Sequence, residues 1–147
     1  MIIRLVLPLL IPPLVFAICA LGDGLSLSEM LSAMVEQYQA RRQNLLITGL
    51  TGIFPVLLLQ GILWLYSRRG GNPEVRRMMT WAGYVPIILI LIWVNFEFWP
   101  VFFPARTYPG FPHGLEFVIG PFLYAPGLML VGVVSAWLLG RKQNSRG

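Results

Sequence analysis

Apolar positions fall along this chain in four long runs, and what separates the runs differs each time. Residues 2–21 are apolar except for Arg4, whose aliphatic stem lets its head group snorkel to an interface. Pro8, Pro12 and Pro13 would break a helix in water; in a bilayer a kinked helix persists where neighbours satisfy the freed carbonyls. The run also carries marks of a secretory signal, with Ala20-Leu21-Gly22 as a small-residue cleavage site before Asp23. It is read here as a retained first span. Residues 45–66 form the second run, and at about 1.5 Å per residue they reach about 33 Å, enough for a hydrocarbon core of about 30 Å. Residues 81–99 form the third and 117–139 the fourth. Pro121 and Pro126 are expected to kink the outer half of the fourth.

The stretch between the first two runs has another period. Ser26 followed by Glu29 has capping-box spacing, so a helix starts there. Leu27, Met30, Leu31, Met34, Val35 and Tyr38 then share one face, with Glu29, Ser32, Glu36, Gln39 and Gln43 opposite. A helix over 27–43 with that division lies along a membrane surface or against a partner. The connection over 100–116 holds Pro100, Pro104, Pro109 and Pro112, too many for one helix. Its Phe102, Phe103, Tyr108 and Phe111 suit a segment packed at the outer interface. The predicted fold class is therefore all-α, a single polytopic membrane domain of four transmembrane helices and one amphipathic interfacial helix.

Charge sets the direction of threading. The short loop from Ser67 to Arg77 carries Arg68, Arg69, Arg76 and Arg77 against Glu74, and such loops are kept on the cytoplasmic side. With the basic tail after Arg141-Lys142, it places both termini in the cytoplasm of a cell with the chain in its inner membrane. Arg41-Arg42 then lie outside, a minority vote. Trp64, Tyr66, Trp81 and Tyr84 are expected as inner-interface anchors, and Trp93, Phe96, Phe98 and Trp99 as an outer aromatic belt.

Composition agrees: 56% of the 147 residues are hydrophobic and 12% charged, where soluble chains carry about 25% charged residues. The net charge of +5 is distributed at the ends of apolar runs and forms no continuous stripe, so the expected partners are membrane lipids, not nucleic acid. Cys19 is the only cysteine and His113 the only histidine. An intrachain disulfide, a Cys-based zinc site, an iron–sulfur cluster and bis-histidine haem ligation within one chain are thereby excluded. No cofactor is expected, although His113 offers one axial bond to a pigment or metal shared with another chain.

Polar side chains gather at the outer end. Asn95 and Glu97 close the third run, Glu116 opens the fourth, and Arg106 and His113 lie between. They form either a proton-relay or ligand site or wet interfacial residues with an Arg–Glu pair holding the loop down. The second reading is favoured, because the penalty for polar groups is small at span ends. Candidate packing positions are Gly49 and Gly52, with Thr48 and Thr51 beside them, and Gly132, Ala136 and Gly140 at four-residue spacing. Gln60 is the strongly polar interior residue of the second run and is expected to hydrogen-bond across to another helix. No phosphate loop, nucleophile elbow or nucleotide fingerprint occurs.

Few interior polar groups, an amphipathic surface helix and an aromatic outer loop suit a non-catalytic accessory or structural subunit of a larger membrane complex. A hetero-complex is favoured over a homo-oligomer. One alternative is a small homo-oligomeric transporter or channel. Four spans in so short a chain resemble the small multidrug transporter family in layout, which implies a coupling glutamate in the first span. Residues 2–21 hold no acidic residue, so Glu97 would have to serve instead. The other alternative is a membrane enzyme using Glu97, Glu116 and His113 for acid–base chemistry.

Overall fold

The computed structural model describes residues 2–39, 45–102 and 115–144. Their regular structure is helical: α1 (Ile2–Gly22), α2 (Leu27–Gln39), α3 (Leu45–Arg68), α4 (Pro73–Phe98), a 3-10 turn at Trp99–Phe102, α5 (Glu116–Ile119), a π-helical turn at Gly120–Tyr124, and α6 (Ala125–Asn144). No strand occurs among the described residues. Four helical stretches are long and apolar enough to cross a membrane: 3–22, 45–68, 73–98 and 120–142. They match the four predicted runs with one enlargement. The third helix begins at Pro73, about two turns before Trp81. The Asn72 side chain accepts a hydrogen bond from the Glu74 N–H at 2.8 Å, and Pro73 occupies the first helical position. That cap starts the helix inside the polar loop.

Two corners of the chain use the same device. At the end of α1 the Leu25 N–H returns to the Ala20 carbonyl at 3.1 Å and the Gly24 N–H to Leu21 at 3.1 Å. At the end of α3 the Gly71 N–H returns to Tyr66 at 3.1 Å and the Gly70 N–H to Ser67 at 3.1 Å. Both are Schellman closures, and both need a left-handed residue, with φ of +90° at Gly24 and +72° at Gly70. Each is followed two residues later by the cap of the next helix, Ser26 and Asn72. The Ser26 box is reciprocal: its N–H and hydroxyl donate to the Glu29 carboxylate at 2.8 and 2.6 Å, and the Glu29 N–H donates back to Oγ at 3.4 Å. The hydroxyl and then the amide of Ser26 hold Glu29 below the usual glutamate range. This support for α2 is present above the ordinary glutamate value and fades as pH falls through the lowered one.

α4 is the centre of the bundle, with α1, α3 and α6 all packed on it. α1 runs parallel to it, since Arg4 meets Tyr84 midway along α4 and Phe16 meets Trp99 just beyond its end. α3 runs the other way, placing Leu59 against Gly83, while Gly52 lies against Leu91. α6 is also antiparallel, with Gly120, Gly132 and Gly140 against Val94, Ala82 and Val75 in turn. Trp99, Phe16, Leu45, Leu59, Leu63, Ile87 and Met129 are among the large side chains sealed in the interior.

At Pro8, and in part at Pro86, neighbouring helices take up what the proline releases. Pro8 has no N–H for the carbonyl of Arg4, four residues back. The Tyr84 hydroxyl of α4 donates to that carbonyl at 3.2 Å. Pro86 likewise frees the carbonyl of Ala82, and α6 presses Gly132 against that oxygen. In the fourth helical stretch Pro121 opens the π turn and Pro126 follows it, and there the Ala125 N–H reaches back to the Gly120 carbonyl.

Two aromatic expectations change. Tyr84 is buried against α1 and is not an interfacial anchor. Phe98 and Trp99 are core residues, stacked edge-on at 4.9 Å, whereas Trp93 and Phe96 remain exposed. An aromatic at the end of an apolar run suits an interface or a helix junction equally, and the arrival of Phe16 from α1 decides for the junction.

Candidate functional site

At the end of the bundle where α4 stops, Asn95 is 2% exposed and hydrogen-bonded to Leu91 of its own helix and to Trp99 of the 3-10 turn. Its Nδ2 donates to the Leu91 carbonyl at 2.8 Å, and its Oδ1 accepts from the Trp99 indole N–H at 2.7 Å. Trp99 is in turn held edge-on by Phe16, with ring centroids 5.3 Å apart. Asn95 therefore positions the aromatic junction of α1 with α4. The spacing of Asn95 and Trp99, four residues on one helical row, was the signal for this pairing.

Glu97 faces elsewhere. It lines a cleft of about 230 Å³ with Trp93, Val94, Leu115, Ile119, Gly120 and Tyr124. The cleft lies between the end of α4 and the π turn, with Trp93 and Tyr124 rings 6.3 Å apart. Gly120 makes this approach possible, because a Cβ there would overlap the Val94 side chain. The structure thus divides the predicted polar cluster, with Asn95 inward and Glu97 on the cleft. Arg106 and His113 lie outside the described residues, and so does the side chain of Glu116, whose backbone opens α5.

The small residues singled out from the sequence lie beside other helices of this chain. A Cβ at Gly49 would stand 3.2 Å from the Leu9 backbone of α1, and one at Gly52 3.0 Å from Leu91 and 3.3 Å from Pro8. Gly132, Ala136 and Gly140 face α4: Ala136 is buried, Gly132 meets the Ala82 carbonyl and Gly140 the Val75 side chain. Thr48 and Thr51 donate to carbonyls three residues back, at 3.0 and 2.8 Å. Gly83, not singled out from the sequence, completes the seam, because a Cβ there would press on Leu59 and Val133. The Gln60 Nε2 is buried with no hydrogen-bond partner among the described residues.

The other end of the bundle is cationic. Arg68, Arg69, Arg76, Arg77, Arg141 and Lys142 lie at the ends of α3, α4 and α6 that meet there. Arg4 of α1 joins Arg76, Arg77, Pro73 and Thr80 around a cleft of about 300 Å³. Arg68 lies 4.0 Å above the Trp64 ring and Arg141 4.5 Å above Trp137. Among the acids, Asp23, Glu29, Glu36 and Glu97 stand towards the opposite end and Glu74 alone within the cationic one.

Among the described residues no group of three or more His, Cys, Asp or Glu side chains converges to hold a metal ion. Cys19 is buried in the core. Comparison with protein-family models, with curated proteins and with solved structures returns no match.

Proposed function

We propose that this chain is a multipass, non-catalytic subunit of a larger membrane complex, threaded with its cationic end in the cytoplasm and α2 along the outer surface. The observation that carries the reading is the apolar surface the chain leaves uncovered. α6 packs chiefly along one seam on α4, and its spanning window is 22% buried, against 39–44% for the other three. Leu128, Val131 and Leu138 stand out from it, Val131 at 65% exposure. α2 buries Met30 and packs Met34 on the core, while Leu27, Leu31 and Val35 of the same apolar side are exposed.

Lipid covers such a surface as well as protein does, so surface alone is half of the argument. The other half is what happens to the polar groups of the spans. Asn95, Thr48, Thr51, Thr80 and Tyr84 are hydrogen-bonded within the chain, as expected of a scaffold, while Gln60 Nε2 has no partner among the described residues and Glu97, at the end of its helix, lines a cleft. Polar groups inside a transport path face a cavity instead. Extraction of the native chain in a mild detergent tests the reading. The expected particle is much larger than the monomer and contains another membrane protein at fixed stoichiometry. A monodisperse, free monomer sinks it.

A further inference from the structure

α3 and α6 touch at one end and part at the other. Near the π turn, Phe54 and Phe122 stack with centroids 4.8 Å apart. Towards the cationic end the two helices separate, leaving a groove of about 490 Å³. Met79 of α4 and Val133 form its floor, Ile62, Leu65 and Tyr66 one wall, and Val134 and Trp137 the other. Both walls are braced. The Tyr66 hydroxyl accepts the Asn72 N–H at 3.2 Å, and Trp137 carries the Arg141 guanidinium on its face at 4.5 Å. Arg69 lines the groove at its cationic end and has no ion-pair partner among the described residues.

We propose that this groove holds one acyl chain of an anionic phospholipid, with the lipid phosphate on Arg69 and beside Arg141. The inference rests on the membrane reading above. An apolar trough with cations at one end only has the polarity of an amphiphile, and basic pockets between spans on the cytoplasmic side suit anionic head groups. A second copy of this chain fits poorly. Copies threaded the same way would bring their own Arg68, Arg69, Arg141 and Lys142 to the same depth, setting like charges together. The groove has the volume of a small-molecule pocket, about 300–1,000 Å³, so it takes a length of chain and leaves the rest of the lipid outside.

Trp137 reports occupancy directly. The purified chain is reconstituted in phosphatidylcholine vesicles containing, at equal low mole fraction, phosphatidylglycerol or phosphatidylcholine with brominated chains, which quench nearby indoles. Subtracting the signal of the Trp137→Phe variant isolates this site. Brominated phosphatidylglycerol is expected to quench Trp137 more strongly than brominated phosphatidylcholine. One cation near the surface is worth about fivefold in head-group affinity, so Arg69→Gln should lower that preference about fivefold. Arg77→Gln, on the other side of α4, should leave it intact. Val134→Trp, which fills the groove without removing charge, should abolish it when read with brominated lipid against an unbrominated control for the added indole.

Equal quenching by the two lipids, or a preference that survives Arg69→Gln, overturns the site while leaving the membrane reading standing. Disulfide formation between Val134→Cys copies made in a Cys19→Ser background, undiminished by added phosphatidylglycerol, overturns it in favour of a second copy. Failure of either brominated lipid to quench any tryptophan overturns both the site and the membrane insertion on which it depends.

Discussion

At the scale of single residues, the carbonyl freed by Pro8 is given a partner from another helix. Tyr84 is that partner, because its hydroxyl meets the one carbonyl that Pro8 leaves without an i+4 donor. Tyr84→Phe is expected to cost about 0.5–1.5 kcal/mol in detergent unfolding. In a Pro8→Ala background, where a backbone N–H again serves the Arg4 carbonyl, the same change should cost clearly less. Equal costs in both backgrounds would mean that the hydroxyl is not answering the proline. Sequence alone could state that such carbonyls need partners, but could not name Tyr84, which is distant in the chain and reads equally well as an interfacial anchor. Asn95 gives the same lesson: its type suggested a site, and its neighbours made it a brace for Trp99.

At the scale of elements, the apolar runs and the Ser26–Glu29 cap were legible in the sequence, whereas the Asn72 cap that starts the third helix eight residues before Trp81 was missed, and helix faces were the least legible. Gly24, Ser26 and Glu29, or Gly70, Asn72 and Pro73, act on backbone groups within a few residues, so their local order is enough to place an end. A stripe of small residues, by contrast, states that something comes close without stating what. The stripe on α6 faces α4 of its own chain, and the contacts along it are unequal. Gly132→Ala would drive a Cβ into the Ala82 carbonyl, a backbone atom that cannot rotate away. It should cost about 1–3 kcal/mol. Gly127→Ala, on the same helix with nothing within 4 Å of the added carbon, should stay within about 0.5 kcal/mol of the parent. Thermal unfolding of the two variants side by side is the check, and equal effects would place the seam elsewhere.

At the scale of the whole molecule, charge is segregated along the bundle axis. Arg4, Arg68, Arg69, Arg76, Arg77, Arg141 and Lys142 share one end, and α1 reaches it because it runs parallel to α4. Keeping such an end in the cytoplasm predicts that alkaline phosphatase fused to the carboxyl terminus stays inactive in cells, while a cytoplasm-dependent fluorescent protein fused there is bright. The opposite pattern would invert the threading and turn the Glu97 cleft to the inside. The groove between α3 and α6 also belongs to this scale, since no short stretch of sequence contains both of its walls.

What the amino-acid order settled by itself is whatever acts over a few residues: four apolar helices, the Ser26–Glu29 cap, and the clustering of cations at the run ends. Those properties depend on local backbone hydrogen bonding and on summed hydropathy, which need no distant partner. The packed structure alone decided which faces meet, that Tyr84 and Trp99 turn inward, that Asn95 and Glu97 part company, and where α3 and α6 diverge. Packing is a relation between elements far apart in the chain, and close approach at Gly52, Gly83 or Gly132 exists only once the second helix has arrived.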